Sequence, residues 1–135
     1  MERHRIEVPF VKGQHRIKAR KVGRGIQFYK CRADRESEAA IAEIYDEQVG
    51  IMAPEGVEVL VTITTHRPTL ASFRKSDGNS HPDTQKPDAD NIAKLVLDAL
   101  NGHAYADDSQ VAALYVVKSP RVRGDTQRME VVVAW

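Results

Sequence analysis

Residues 86–118 read KPDADNIAKLVLDALNGHAYADDSQVAALYVVK. In this stretch Ile92, Leu95, Val96, Ala99 and Leu100 recur at i, i+3, i+4, i+7 and i+8, the apolar stripe of a helix packed by one face. Asn101-Gly102 is a helix-ending pair, and VAALYVVK beyond it has the apolar, β-branched character of a strand. A helix passed directly into a strand makes the chain a mixture of the two classes. The same stretch gathers Asp88, Asp90, Asp98, Asp107 and Asp108 around one short helix that also carries Lys94.

Upstream, GVEVLVTITTH (56–66) sets Val57, Val59, Val61 and Ile63 against Glu58, Leu60, Thr62 and Thr64, a strand with one buried face. RIEVPF (5–10) alternates Ile6, Val8 and Phe10 with charged neighbours, a half-buried strand. QHRIKARKVGRGIQFYK (14–30) reads as two short strands turned at Gly23-Arg24-Gly25. Asp34 offers an N-cap for a helix whose apolar positions are Ala40, Ile41, Ile44, Tyr45 and Val49, with Gly50 near its end. Residues 67–87 hold Pro68, Gly78, Pro82 and Pro87 without periodicity, so they form a functional loop or a partly disordered one. Beyond VAALYVVK, the linker SPRVRGDTQ leads to RMEVVVAW, and these last two strands most simply form an antiparallel hairpin. The expected fold is one α+β domain over residues 1–135, with two main helices packed on a mixed or antiparallel sheet.

At 135 residues the chain can bury a core without disulfides or metals as staples. Its single cysteine, Cys31, excludes an intrachain disulfide and fits a reducing compartment. No apolar run approaches the roughly 20 residues of a membrane span. The charged opening MERHRIEVPF lacks the apolar core of a signal peptide. A cytoplasmic location is therefore expected. The net charge of +1 conceals an asymmetry: residues 1–35 hold 11 Lys/Arg against 3 Asp/Glu, and the remaining 9 Lys/Arg face 16 Asp/Glu. A basic segment of this kind attracts polyanions such as nucleic acid.

The acids admit two readings. In one, Asp90 caps the helix, Lys94 pairs with Asp90 and Asp98, and Asp107-Asp108 make a turn. In the other the carboxylates converge, and several like charges then require a cation. Hard oxygen ligands suit Mg²⁺ or Mn²⁺, which bind through a few carboxylates plus substrate phosphates. Such a site can activate water and stabilise the leaving oxygen of a phosphodiester. Convergence depends on which end of the helix the strand at 111 begins beside, and spacing alone leaves that open. His15, His66, His81 and His103 lack metal-ligand spacing and read as polar surface or phosphate-contacting groups, and Cys31 reads as a small, partly buried residue.

With P-D-A-D-N at 87–91, a lysine four residues after the second aspartate, D-A-L-N-G at 98–102 and D-D-S-Q at 107–110, the chain resembles the RusA-like Holliday-junction resolvases, endonucleases of bacteria and their phages. The basic segment at 12–30 and EAAIAEI (38–44) are similar to the family's N-terminal half. The resemblance implies that Asp88, Asp90 and Asp108 are the essential, metal-binding acids, with Asp107 a lesser one. It implies a catalytic role for Lys94 and DNA contacts for Lys12, Arg16 and Lys86. It further implies Mg²⁺ (or Mn²⁺) as cofactor, four-way or branched DNA as partner, and an intertwined homodimer. The activity expected is paired symmetric nicking in recombination and repair. The alternative is a protein that binds branched DNA without cleaving it or with broader specificity. Residues 68–86 are longer than in compact members, and Pro87 stands where some members carry a basic residue.

Overall fold

Val59, Val61, Ile63 and Thr65 point inward along one strand, and that strand is the centre of the sheet. In the computed structural model, which describes residues 1–15 and 18–135, the chain runs β1 (Arg3–Val8), β2 (Lys18–Val22), β3 (Gly25–Tyr29), α1 (Arg32–Gln48), β4 (Val59–His66), β5 (Ser80–His81), α2 (Ala89–Leu100), β6 (Val111–Lys118), β7 (Arg121–Val122) and β8 (Arg128–Ala134). Short 3₁₀ turns occupy Lys75–Asp77 and Asp108–Gln110. Arg16, expected on DNA, lies outside the described residues.

The main sheet has the order β1-β8-β4-β6. β8 runs antiparallel to both β1 and β4, whereas β6 runs parallel to β4. The sheet is therefore mixed, as the α+β reading allows, but the expected β6–β8 hairpin is not formed: the two strands flank β4 on opposite sides. The physical reason lies in the linker. Arg121 and Val122 pair with His81 and Ser80 of the long loop, which carries the chain away from β6 before it re-enters the sheet. That loop is likewise built, with a 3₁₀ turn and a two-residue strand.

Helices α1 and α2 pack on the sheet and on each other. Ile41 and Tyr45 from α1 meet Ile92, Leu95, Val96 and Leu100 from α2 over Ile6, Val8, Val61, Ile63, Val131 and Val133. Tyr45 is fully buried and donates to the carbonyl of Ile51 at 2.6 Å, and burial pushes its phenol up to about 12. Asp34 does not cap α1. The helix begins at Arg32 with Cys31 as N-cap, and Asp34 sits buried in the first turn. Val57, expected in the strand, precedes it and is partly exposed. At the far end of α2, Gly102 takes φ 80°, the left-handed conformation that glycine tolerates. Among the described residues no helix is long and apolar enough to cross a membrane.

Two of the strand surfaces among the described residues keep clusters of apolar side chains in solvent. The β2–β3 hairpin forms its own two-stranded sheet and exposes Val22, Ile26 and Phe28. β6, at the edge of the main sheet, exposes Leu114, Tyr115 and Val117.

Candidate active site

Asp88 occupies the N-cap of α2 with extended backbone (φ −71°, ψ 152°), yet its side chain makes no capping hydrogen bond. A carboxylate at this position ordinarily accepts from the N–H groups of the first turn. Here it is left to line a cleft of about 700 Å³ together with Lys12, Gly13, His15, Lys86 and Asn91. Asp90 is exposed in the first turn of the same helix, and Lys94 is exposed one turn further on. Lys94 forms no ion pair with Asp90 or Asp98, because Asp98 is engaged elsewhere. It accepts from Lys30 Nζ at 2.9 Å and from Gln14 Nε2 at 2.8 Å. Asp98 therefore ties α2 to the chain around β2 and β3, not to the lysine on its own helix.

The two walls of the cleft are held together by backbone. The Gln14 amide donates to the carbonyl of Asn91 at 2.8 Å. A Cβ added at Gly13 would lie 2.8 Å from Cβ of Pro87 and 3.0 Å from Cβ of Asn91, so only glycine lets the strand-leaving segment come this close. Lys12, whose ammonium sits 5.1 Å from the Phe10 ring centroid, stands at the cleft with Lys86. Among the described residues, the ammonium groups of Lys12 and Lys86 and the carboxylate of Asp88 share the opening.

The wall carrying Lys86, Pro87 and Asp88 is the end of the long loop, and a buried ionic network fixes it. Arg67 is bidentate on Asp83 at 2.9 and 2.6 Å, and Arg121 reaches the same carboxylate at 3.2 Å. Arg67 also donates to the carbonyls of Lys86 at 2.9 Å and Gln85 at 3.2 Å, while Lys118 donates to Gln85 O at 2.5 Å. Desolvation pushes the Asp83 carboxyl up, but the Arg67 hydrogen bonds and the charges of Arg67, Arg121 and Lys118 outweigh it and hold the group below its ordinary range. Sequence reasoning missed these four residues. One signal was present: the period-2 series 59, 61, 63, 65 puts residue 67 on the buried side, where an arginine requires a partner.

Asp107 and Asp108 stand elsewhere. Asp107 caps the 3₁₀ turn, accepting from Ser109 Oγ at 2.5 Å while Gln110 closes a reciprocal box. Gln110 also donates to the carbonyls of Pro54 and Val57 at 2.9 and 3.1 Å, which places this turn beside the start of β4. Tyr105 donates to Leu97 O at 2.8 Å and pins the connection to the last turn of α2. Burial and then the nearby carboxylates of Asp108, Asp98 and Asp107 push its phenol far above the ordinary value. Because β4 and β6 are parallel, α2 runs back along them, and its 12 residues span about 18 Å. Asp88 and Asp90 mark one end of this β4–α2–β6 crossover, and Asp107 and Asp108 the other. No three of these four carboxylates bring oxygens within 4.8 Å of one another.

The structure thus brings together Lys12, Lys86 and Asp88, leaves Asp90 and Lys94 on the adjoining helix face, and separates Asp107 and Asp108 from them. It also assembles a group that the sequence reading scattered: His15, Cys31 and Asp34, whose ligand atoms all lie within 4.8 Å of one another. Their numbering, 16 and 3 residues apart, follows no recognised ligand spacing. No curated protein matches the chain significantly. The family model of the endodeoxyribonuclease RusA matches residues 9–134, nearly the whole length, and the chain belongs to that family.

Proposed function

We propose that the protein is a metal-dependent, structure-selective endodeoxyribonuclease that resolves Holliday junctions by paired symmetric nicks in the cytoplasm of a bacterium or phage-infected cell. Membership of the family implies an endodeoxyribonuclease. The observation that carries the finer reading is Asp88, a helix N-cap whose carboxylate caps nothing and lines a cleft between Lys12 and Lys86. A carboxylate facing a polyanion is unfavourable unless a cation lies between them. Asp88, Asp90 and Asp108 would hold Mg²⁺ or Mn²⁺, with Asp107 in a lesser role because it already caps a turn. The donor chemistry fits: all are carboxylates, the hard oxygen ligands these ions prefer. When bound, the metal supplies a polarised water and a counter-charge for the phosphodiester. Lys12 and Lys86 seat the DNA backbone, and Lys94 supplies positive charge near the phosphate from the exposed face of α2.

The separation of the two acidic pairs supports a homodimer. β6 is an edge strand whose outer side has no neighbour among the described residues and whose apolar side chains stand in solvent, a surface that invites pairing with another strand. Two copies joined about a two-fold axis, β6 antiparallel to β6, bring the Lys118 end of one strand beside the Val111 end of the other. Asp88 and Asp90 of one protomer then stand near Asp107 and Asp108 of the partner subunit. The same axis gives two equivalent sites for two nicks.

The test is incubation of the protein with labelled four-way, forked and linear DNA, with and without Mg²⁺. Mg²⁺-dependent symmetric cleavage of the four-way substrate is expected. Equal cutting of forked or linear DNA would indicate broader specificity, and binding without cutting under any metal would sink the nuclease reading for this chain.

A further inference from the structure

We infer that His15, Cys31 and Asp34 form a second metal site, distinct in chemistry from the carboxylates on α2 and selective for a thiophilic divalent cation such as Zn²⁺. The three residues come from separate parts of the fold: His15 from the segment leaving β1, Cys31 from the N-cap of α1, and Asp34 from its first turn. They offer one imidazole nitrogen, one sulfur and one carboxylate oxygen, the donor types that zinc binds. Cys31 Sγ lies 3.6 Å from His15 Nδ1. With Zn–S near 2.3 Å and Zn–N near 2.0–2.1 Å, a tetrahedral ion separates those two atoms by about 3.5–3.6 Å. The sulfur and nitrogen are thus already spaced for the ion.

Asp34 is the organising residue. Its carboxylate is buried, and it accepts from the His15 amide at 2.9 Å and meets His15 Nδ1 at 2.6 Å. Its carboxylate therefore already faces the imidazole and the sulfur from inside the fold. The Nδ1–Oδ1 distance is shorter than the roughly 3.3 Å edge a tetrahedral zinc imposes between nitrogen and oxygen. Binding therefore replaces that hydrogen bond. The bound form has neutral imidazole with its proton on Nε2, the thiol proton leaves to solvent, and bonds form from Nδ1, Sγ and an Asp34 oxygen to the ion. The His15 side chain is 62% exposed, which supplies both a path of entry and the room to open the pair. Three protein ligands would leave a fourth position for water, and of the three only His15 also lines the cleft that Asp88 lines. The arrangement differs from a nucleophilic triad, because one ring nitrogen faces both the carboxylate and the sulfur.

Equilibrium titration of the full-length protein with Zn²⁺, in the absence of DNA, tests the site, with Co²⁺ as the spectroscopic probe. One tight equivalent of Zn²⁺ and a thiolate-to-cobalt charge-transfer band are expected. Cys31→Ser and His15→Gln are each expected to weaken Zn²⁺ binding by at least about 100-fold, beyond the loss caused by removing an outer partner of a metal site. Asp88→Asn is expected to leave it unchanged. Both side chains are partly or largely exposed, and far-ultraviolet circular dichroism verifies that the variants fold. The inference is overturned by the absence of a tight equivalent, by the absence of the charge-transfer band, or by binding that survives Cys31→Ser. Loss in Asp88→Asn instead would assign the zinc to the α2 acids and overturn it equally. DNA cleavage enters none of these readouts, so the inference stands or falls apart from the nuclease proposal.

Discussion

At the scale of single residues, Lys94 separates the two readings of the acidic segment most sharply. As a partner of Asp90 on the helix surface it would contribute about 0.2–0.5 kcal/mol to stability and nothing to turnover. It forms no such pair, and neither does it pair with Asp98, which is taken by Lys30 and Gln14. A cation on the exposed face of a helix beside the proposed nuclease cleft is then available to act on a phosphate. Lys94→Ala is expected to fold normally, to bind junctions nearly as well, and to lose roughly 10²–10³ in single-turnover cleavage rate, the loss typical of one electrostatic donor. Lys94→Arg, with its planar and longer-reaching charge, is expected to recover only part of that loss. A Lys94→Ala rate within about threefold of the parent protein, far less than a transition-state donor costs, would return the lysine to the surface. The acids and the lysine could be nominated from the sequence because they lie within 21 residues, on one helix and its flanks, but the separation of Asp107 and Asp108 from Asp88 and Asp90 could not. Nor could the group of His15, Cys31 and Asp34, since their meeting depends on how the segment after β1 folds across the start of α1. Asp34 misled for a physical reason: an aspartate near a helix start is usually a cap, and here it turns into the protein toward His15 instead.

At the scale of elements, the segment 67–87 acts as a strap fastened at Asp83. Removing one partner of a buried ion network leaves the others uncompensated and costs about 3–5 kcal/mol. Asp83→Asn is expected to lower unfolding stability by an amount of that order near neutral pH. The sign with pH follows from the depressed carboxyl. The stabilisation is complete above the unfolded aspartate value near 3.9 and is lost as the pH falls through the lower folded value. Urea unfolding of the parent protein should therefore weaken as the pH drops below about 4, and the Asp83→Asn variant should show a shallower decline there. Parallel declines would mean that Asp83 does not set the acid limit. The neighbouring close approach makes a second forecast. Gly13→Ala puts a methyl within 2.8 Å of Pro87, whose ring cannot swing aside, so the walls of the cleft must part. Weaker junction binding is expected with little change in the α-helical circular dichroism, and unchanged affinity would show that this contact does not shape the DNA surface. The existence of the longer helices and strands followed from periodicity, although α1 begins earlier, at Arg32, and β4 later, at Val59. The strap did not, since its order rests on ionic contacts between β4, the loop and the β6–β8 linker.

At the scale of the whole molecule, the fold class was legible but the strand order was not. Hydrophobic pattern identifies β6 and β8 as strands and says nothing of which neighbour each selects. A local hairpin was the simplest choice, and the β5–β7 pairing diverted the linker from it. The same parallel register of β4 and β6 that overturned the hairpin also parts Asp88 and Asp90 from Asp107 and Asp108, and the proposed dimer rests on that separation. If each site is shared between subunits, Asp88→Asn and Asp108→Asn should each be inactive alone, yet complement one another. In a mixed dimer one site collects both substitutions and the other collects neither, so one intact site is restored. Random exchange makes half the dimers mixed, giving about a quarter of the normal number of sites. Because a mixed dimer cuts only one strand, nicked four-way DNA should accumulate without resolution into duplexes. If the sites were instead contained within single chains, both sites of a mixed dimer would carry a substitution, and the mixture would stay as inactive as its components. Gel separation of nicked from resolved junctions after mixing the two purified variants distinguishes these outcomes, with exchange verified by differently tagged copies.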